Sequence, residues 1–157
     1  MEPIRAFIFE DDELLRILVT GLLRERGYEV LDFPNPGLCP LYQVRVCRCS
    51  QEEACGDIVI SDLNMGDISG LEFVERQKKI GCKLPNVALM SGAWTESEIV
   101  YAQTLGCKTF HKPFTFDEIN EWLDESERMI NPNRVLANWF REPIIPQAEE
   151  VPVSPDD

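Results

Sequence analysis

Five short, largely apolar runs alternate along this chain with stretches of helical spacing. That alternation constrains the fold more than any other feature. Residues 4–9 (IRAFIF), 28–33 (YEVLDF), 57–62 (DIVISD), 86–91 (NVALMS) and 108–111 (KTFH) read as strands. Near-continuous apolar runs of this length suit strands buried on both faces. After the first run, Leu14, Leu15, Leu18, Val19, Leu22 and Leu23 recur at helical spacing, and Gly27 stops the helix. A helix over 71–80 turns Leu71, Val74 and Phe73 inward. Thr95 with Glu98 forms a capping box for a helix to Leu105, and Thr115 caps a last one to Ile130, with Phe116, Ile119, Trp122 and Leu123 apolar. Alternating strands and helices predict an α/β fold with a parallel sheet covered on both faces.

At 157 residues the chain suffices for one domain and a short appendage. The domain is expected over 1–130. Residues 131–157 are expected to be an extension: a helical turn or two with Leu136, Trp139 and Phe140 docking back, then a disordered tail. Beyond Arg141, sixteen residues hold four prolines and five acids. One segment breaks the alternation. A second helix belongs over 34–56, but Pro34, Pro36, Gly37 and Pro40 crowd its start and the pattern is poorly helical.

Open parallel sheets bind ligands at the carboxyl ends of their strands. Those ends carry Glu10 and Asp11, then Asp62, then Ser91, then Lys112. Three carboxylates, a hydroxyl and an ammonium are therefore expected in one crevice. Carboxylates in that number suit Mg²⁺, which takes hard oxygen ligands and keeps several waters. Without a cation, two carboxylates about 4 Å apart repel by roughly 4 kcal/mol at an effective dielectric near 20. Taken singly, each group has a plainer explanation. An acidic pair suits a helix N-terminus, Ser91 a turn, and Lys112 a solvated surface.

Four segments in order resemble the response-regulator receiver family over about residues 4–125: IFEDDELLRILVTGLL, VISDLNMGDISGLEF, MSGAW and HKPF. The likeness is to a single-domain, chemotaxis-regulator-like member. It implies a flavodoxin-like, doubly wound five-stranded sheet of order 2-1-3-4-5. It also implies a Mg²⁺-dependent switch of two-component signalling. By the resemblance, Asp62 accepts the phosphoryl group, with Ser91 and Lys112 bonding its oxygens. Glu10, Asp11, Asp62 and the backbone carbonyl of Asn64 hold Mg²⁺, Asp12 opens the first helix, and the Lys112–Pro113 bond is cis. No other cofactor is implied. A sensor histidine kinase is the implied donor. Catalysis is limited to the chain's own phosphoryl transfer and dephosphorylation, so the chain is not otherwise an enzyme. Lacking an output domain, it is expected to act through a downstream protein of unknown identity or to drain phosphate; a homodimer stays open.

Some residues depart from the family pattern. Gly66 stands where a proline is usual, which suggests a looser loop. Thr109 stands where the family carries its switch aromatic, and Phe110 is one position off, pointing the other way in a strand. His111 is expected to be a strand-end residue.

Cys39, Cys47, Cys49 and Cys55 fall in the irregular segment. Four thiolates suit a tetrahedral Zn²⁺ site or an iron–sulfur cluster, although no Cys-x2-Cys pair is present. Redox chemistry or four spare thiols remain the alternatives, and Cys82 and Cys107 are expected to be packing residues. A module that senses metal or redox state through these cysteines, without phosphorylation, is the rival to the phosphorylation switch.

The net charge is −13, and the segment from Pro113 onward has 11 acids, 3 arginines and no lysine. Direct binding to DNA is not expected, because such a surface needs a basic footprint. No stretch reaches the roughly 18 apolar residues of a membrane helix, and the N-terminus reads as a strand rather than a signal peptide. No membrane association is expected, and the expected location is the cytoplasm.

Overall fold

The structure, a computed structural model, describes residues 2–49 and 52–141. The elements run in chain order: β1 (Arg5–Phe9), α1 (Glu13–Glu25), β2 (Glu29–Phe33), a 3-10 turn (Pro36–Leu38), α2 (Pro40–Gln43), β3 (Glu53–Ala54), β4 (Ile58–Asp62), α3 (Gly70–Lys79), β5 (Asn86–Ser91), α4 (Glu96–Thr104), β6 (Lys108–His111), α5 (Phe116–Met129), β7 (Val135–Leu136) and a 3-10 turn (Trp139–Arg141). The main sheet has five strands in the order β2-β1-β4-β5-β6, all parallel. Setting aside the two-residue β3, this is the expected 2-1-3-4-5 order.

Strand periodicity divides the core in two. Ala6, Ile8, Ile58, Ile60, Ala88 and Met90 face the side covered by α1 and α5, where Val19, Leu23, Ile119 and Leu123 meet them. Phe7, Phe9, Val59 and Leu89 face the other side, against Phe73 and Val74 of α3 and Ala102 of α4. Part of the apolar stripe of α1 stays outside, with Leu14, Ile17 and Leu18 exposed. The caps follow the sequence: Asp12 accepts from the backbone of Leu14 and Leu15, and both Thr95/Glu98 and Thr115/Glu118 form reciprocal capping boxes, as does Ser69 with Glu72.

Among its described residues, segment 34–56 has no helix longer than four residues. Asn35 caps a 3-10 turn that begins at Pro36, and Pro40 opens a single α-turn that ends when Val44 turns extended. The C-terminal extension has a helical turn, but a strand comes before it. It forms a strand, β7, parallel to β3, and then a 3-10 turn. Arg5 explains the extended course. It is a buried cation whose guanidinium donates to the carbonyls of Cys55 (2.9 Å) and Ala137 (2.6 Å), and to Asn138 Oδ1 (2.8 Å). Those bonds hold the Ala137 and Cys55 carbonyls toward the sheet rather than along a helix axis. Arg134 adds an ion pair to Asp57 at 2.6 Å. The expected acidic, proline-rich tail beyond Arg141 lies outside the described residues.

Candidate functional site at the strand ends

The carboxyl ends of β1, β4, β5 and β6 bring together what the sequence placed there. Glu10 follows β1 and is almost wholly buried; its backbone N–H donates to the Phe33 carbonyl. Asp11 beside it is exposed, and Asp62 ends β4, 7% exposed. Carboxylate oxygens of Glu10, Asp11 and Asp62 all lie within 4.8 Å of one another. Lys112 reaches in from the end of β6, its Nζ 2.9 Å from Glu10 Oε1 and 3.1 Å from Asp62 Oδ1. The backbone N–H of Lys112 donates to the Ser91 carbonyl at 2.8 Å, which fixes the two strand ends side by side. Ser91 is buried, and its Oγ accepts from the Ala93 N–H at 2.9 Å, leaving its hydroxyl proton to donate elsewhere. The Lys112–Pro113 bond is cis.

The electrostatics follow from burial. Asp62 is pushed up from the ordinary carboxylate range first by desolvation and further by Asp11, and Lys112 only partly opposes this. Glu10 is likewise raised by burial, against the pull of the Asp12 backbone N–H and Lys112. Burial would lower Lys112, but its hydrogen bonds to Glu10 and Asp62 outweigh that and its net shift is upward. One ammonium faces three carboxylates, so the crevice keeps an excess of negative charge. The donor set, three carboxylate groups partly open to water, is the hard-oxygen type that fits Mg²⁺.

Two supporting residues were not evident in the sequence. Arg16, on α1, donates to the Glu10 carbonyl at 2.7 Å and pairs with Asp32 at 3.3 Å, so it ties the acidic turn to β2. Gly70 opens α3 directly behind the acceptor; a Cβ there would stand 2.6 Å from the Asp62 carbonyl oxygen. The loop between them turns at Gly66, whose φ of +77° proline cannot adopt. Asn64, on this loop, is exposed two residues after Asp62. On β6, Phe110 is buried against Phe114 and Trp122, while Thr109 is half-buried and His111 is exposed at the strand end. Trp94, from the loop after β5, donates its indole N–H to the Phe110 carbonyl at 2.8 Å, and its ring lies 6.5 Å from that of His111.

The cysteines behave differently. Among the described residues, the three acids are the only set of three or more donor side chains gathered within 4.8 Å. Of the expected set Cys39, Cys47, Cys49 and Cys55, the Cys49 and Cys55 sulfurs touch, at 2.8 Å, Cys47 interacts with Cys49, and no three of the sulfurs gather within 4.8 Å. Cys39 is fully buried at the turn before α2. It packs in the core face under segment 34–56, because the proline-opened turn points it inward. Cys82 instead lines a small void together with Cys47 and Cys55. Cys107 is a core residue, as expected.

The family model for the response regulator receiver domain matches residues 6–124. The chain belongs to the response regulator receiver domain family. Its relatives include a protein-glutamate methylesterase/protein-glutamine glutaminase of Treponema denticola, 30% identical over 92 residues, 58% of this chain and 23% of that protein. A probable transcriptional regulatory protein of a Picosynechococcus species is 25% identical over 116 residues, 73% of this chain and 45% of that one. The chain thus spans less than half the length of these curated relatives. Among solved structures, the non-phosphorylated HemR receiver domain of Leptospira biflexa superposes with a TM-score of 0.67 at 22% identity, covering 84% of this chain and 99% of that one. Chemotaxis protein CheY4 of Vibrio cholerae gives 0.63 at 20% identity, covering 80% and 99%. Likeness at that identity shows the CheY-like, flavodoxin-like fold. Receiver domains are signalling modules of two-component systems rather than classical enzymes. Phosphorylation on an aspartate and Mg²⁺ at an acidic pocket are general in the family, as is interaction with histidine kinases and downstream effectors. No helix of this receiver domain, among the described residues, is long and apolar enough to cross a membrane.

Proposed function

We propose that this receiver domain is a phosphorylation switch in which Asp62 is the phosphoryl acceptor. One observation carries the reading. Asp62 sits at a strand end with its carboxylate within 4.8 Å of two other acids and 3.1 Å from the Lys112 ammonium. The donor is the phosphohistidine of a sensor histidine kinase, or a small acyl phosphate in its place. An Asp62 carboxylate oxygen bonds to phosphorus as the bond from phosphorus to the donor nitrogen or oxygen breaks. The product is an aspartyl phosphate, later cleaved by water.

Glu10, Asp11, Asp62 and the Asn64 carbonyl are the groups that would hold Mg²⁺, which when bound supplies charge neutralisation for the transferring phosphoryl oxygens. Lys112 moves its hydrogen bond from the Asp62 carboxylate to a phosphoryl oxygen, and the Ser91 hydroxyl donates to another. These are positioning and electrostatic roles, the main contributions to phosphoryl transfer. The Arg16 bond to Glu10 keeps the acidic turn in place. Output leaves through the protein surface, by phosphorylation-dependent binding of a downstream protein in the cytoplasm or by draining phosphate from the kinase.

Incubation with acetyl phosphate and Mg²⁺, read by intact-protein mass spectrometry, tests the proposal. One phosphoryl group per chain is expected, and none in Asp62→Asn. Full labelling of Asp62→Asn would remove Asp62 as the acceptor. The rival, a cysteine-based sensor without phosphorylation, predicts no labelling of either protein; it leaves the converged carboxylates and Lys112 without a task.

A further inference from the structure

We infer that Cys47, Cys49, Cys55 and Cys82 form a tetrathiolate site for one soft divalent cation of the zinc type, with Cys82 taking the place that the sequence pattern gave to Cys39.

Geometry selects the set. Cys47, Cys55 and Cys82 line a void of about 10 Å³ between segment 34–56, the end of α3 and the C-terminal extension. That is room for about one water-sized sphere, hence for one ion. Cys49 joins through its 2.8 Å contact with Cys55. Cys82 comes from a different part of the chain, just past α3. The backbone N–H of Cys47 donates to the Ile80 carbonyl at 3.0 Å, which holds the two segments together there. Cys39 does not line this void.

Burial holds the thiols of Cys49, Cys55 and Cys82 in the protonated form, so a cation that replaces those protons is what would make them thiolates. The indole Nε1 of Trp139 is buried without a hydrogen-bond partner. The groups it faces are the sulfurs of Cys49 and Cys55, where burial raises both thiols and the indole opposes only part of that. Arg48 lines the same void and stacks its guanidinium 5.0 Å over the Trp139 ring, a cation beside what would be a doubly negative centre. Four sulfurs at about 2.3 Å from zinc stand roughly 3.8 Å apart in a tetrahedron. The Cys49–Cys55 contact is about an ångström shorter than that, and no three of the four sulfurs lie within 4.8 Å of one another. Binding therefore opens one edge and draws in the rest. Residues 44–49 form neither helix nor strand that would resist this. A disulfide between Cys49 and Cys55 accounts for two thiols only. It also needs an exposed thiolate to attack an oxidant, and burial works against that at both sulfurs. An ion accounts for all four sulfurs, releasing their protons on binding. It would join β3, the α3 end and the Trp139 turn, supplying the order that the missing helix does not.

The full chain, purified anaerobically, should contain about one equivalent of zinc. X-ray absorption should show a shell of four sulfurs near 2.3 Å. The double variant Cys39→Ala/Cys107→Ala should keep the metal and the four-sulfur shell, leaving only the proposed four cysteines as donors. Cys82→Ala should weaken zinc binding by more than roughly a hundredfold, beyond what loss of a supporting group costs. Should Cys82→Ala fail to fold by circular dichroism, the Cys39/Cys107 variant decides by itself. Less than about a tenth of an equivalent of metal, a brown iron–sulfur chromophore, a Cys49–Cys55 disulfide in the anaerobic protein, or a three-sulfur shell in the Cys39/Cys107 variant would each overturn the inference. None of these readouts depends on Asp62.

Discussion

The strand-end crevice and the sulfur-lined void are two clusters of side chains of metal-ligating type in one small domain, built in opposite ways. In the crevice, Glu10, Asp62, Ser91 and Lys112 are each placed by the register of a parallel sheet, and backbone bonds such as Lys112 N–H to the Ser91 carbonyl hold adjacent ends level. In the void, Cys47 and Cys49 sit on irregular backbone, Cys55 just past a two-residue strand and Cys82 after a helix end. The first arrangement exists before any ligand arrives. In the second, no three of the sulfurs lie within 4.8 Å of one another. A sheet preorganises its site; a loop leaves the ligand to complete it.

The largest expected effect separates the two regions outright. Asp62→Asn should remove all phosphoryl incorporation from acetyl phosphate. Alanine at Cys49 or Cys55 should leave the extent of labelling unchanged, because the sheet and not the loop fixes Asp62. If the cysteine variants also fail to label while still folded, the independence of the two regions is broken.

Next in size is the stabilisation by Mg²⁺. A ligand that binds only the folded chain adds about 2.7 kcal/mol at a hundredfold excess over its Kd. The melting temperature should therefore rise with millimolar Mg²⁺, and Asp62→Asn should lose most of that rise. Mg²⁺ that leaves the wild-type transition unmoved would mean that the three carboxylates do not act as one site.

A third effect tests how tightly the crevice is supported. Gly70→Ala would set a Cβ 2.6 Å from the Asp62 carbonyl oxygen, with Leu89 also closer than contact at 2.9 Å. Such overpacking costs about 1–3 kcal/mol. Chemical denaturation should show a loss in that range, with slower labelling as the acceptor shifts. A loss below about 0.5 kcal/mol, the size of an ordinary surface substitution, would show that the loop before α3 gives way freely.

The contrast also explains what was legible in the sequence. The five strands, the caps at Thr95 and Thr115, and the convergence of Glu10, Asp11, Asp62, Ser91 and Lys112 follow from local periodicity plus the rule that parallel sheets bind ligands at their carboxyl ends; the strand order and the cap at Asp12 were legible only through the family resemblance. Arg16 and Gly70 were missed because their partners are backbone carbonyls across the turn, which no spacing encodes. Cys82, which the proposed thiolate site takes in place of Cys39, was read as a packing residue for a related reason. Its neighbours come from a segment whose path is set by proline-opened turns and by Arg5 gripping the Cys55 and Ala137 carbonyls. Proximity in sequence favoured Cys39, and the turn at Pro40 carries it into the core instead. The extension was read as helical from its apolar residues alone; its carbonyl partner, Arg5, lies 132 residues away.

The smallest expected effect concerns charge in the crevice. Burial raises Asp62 from its ordinary 3.8 and Glu10 from 4.5. The folded chain then holds protons at pH values where the unfolded chain has released them. Stability from these groups is present at low pH and declines as pH rises through their folded values. Lys112, raised from 10.5, stays charged throughout that window and does not alter the sign. Without metal, Asp62→Asn should therefore melt higher than wild type at pH 7. The gap should shrink on acidification, as wild-type Asp62 takes up its proton too. With Mg²⁺ present the order should reverse, since the cation needs the carboxylate that protons would take. Thermal melts of both proteins in chelator and in Mg²⁺, across pH 4 to 8, test this directly. A gap that instead widens on acidification would mean that Asp62 is held ionised by Lys112. The crevice would then be an ion pair with spare acids rather than a charged cavity awaiting a cation.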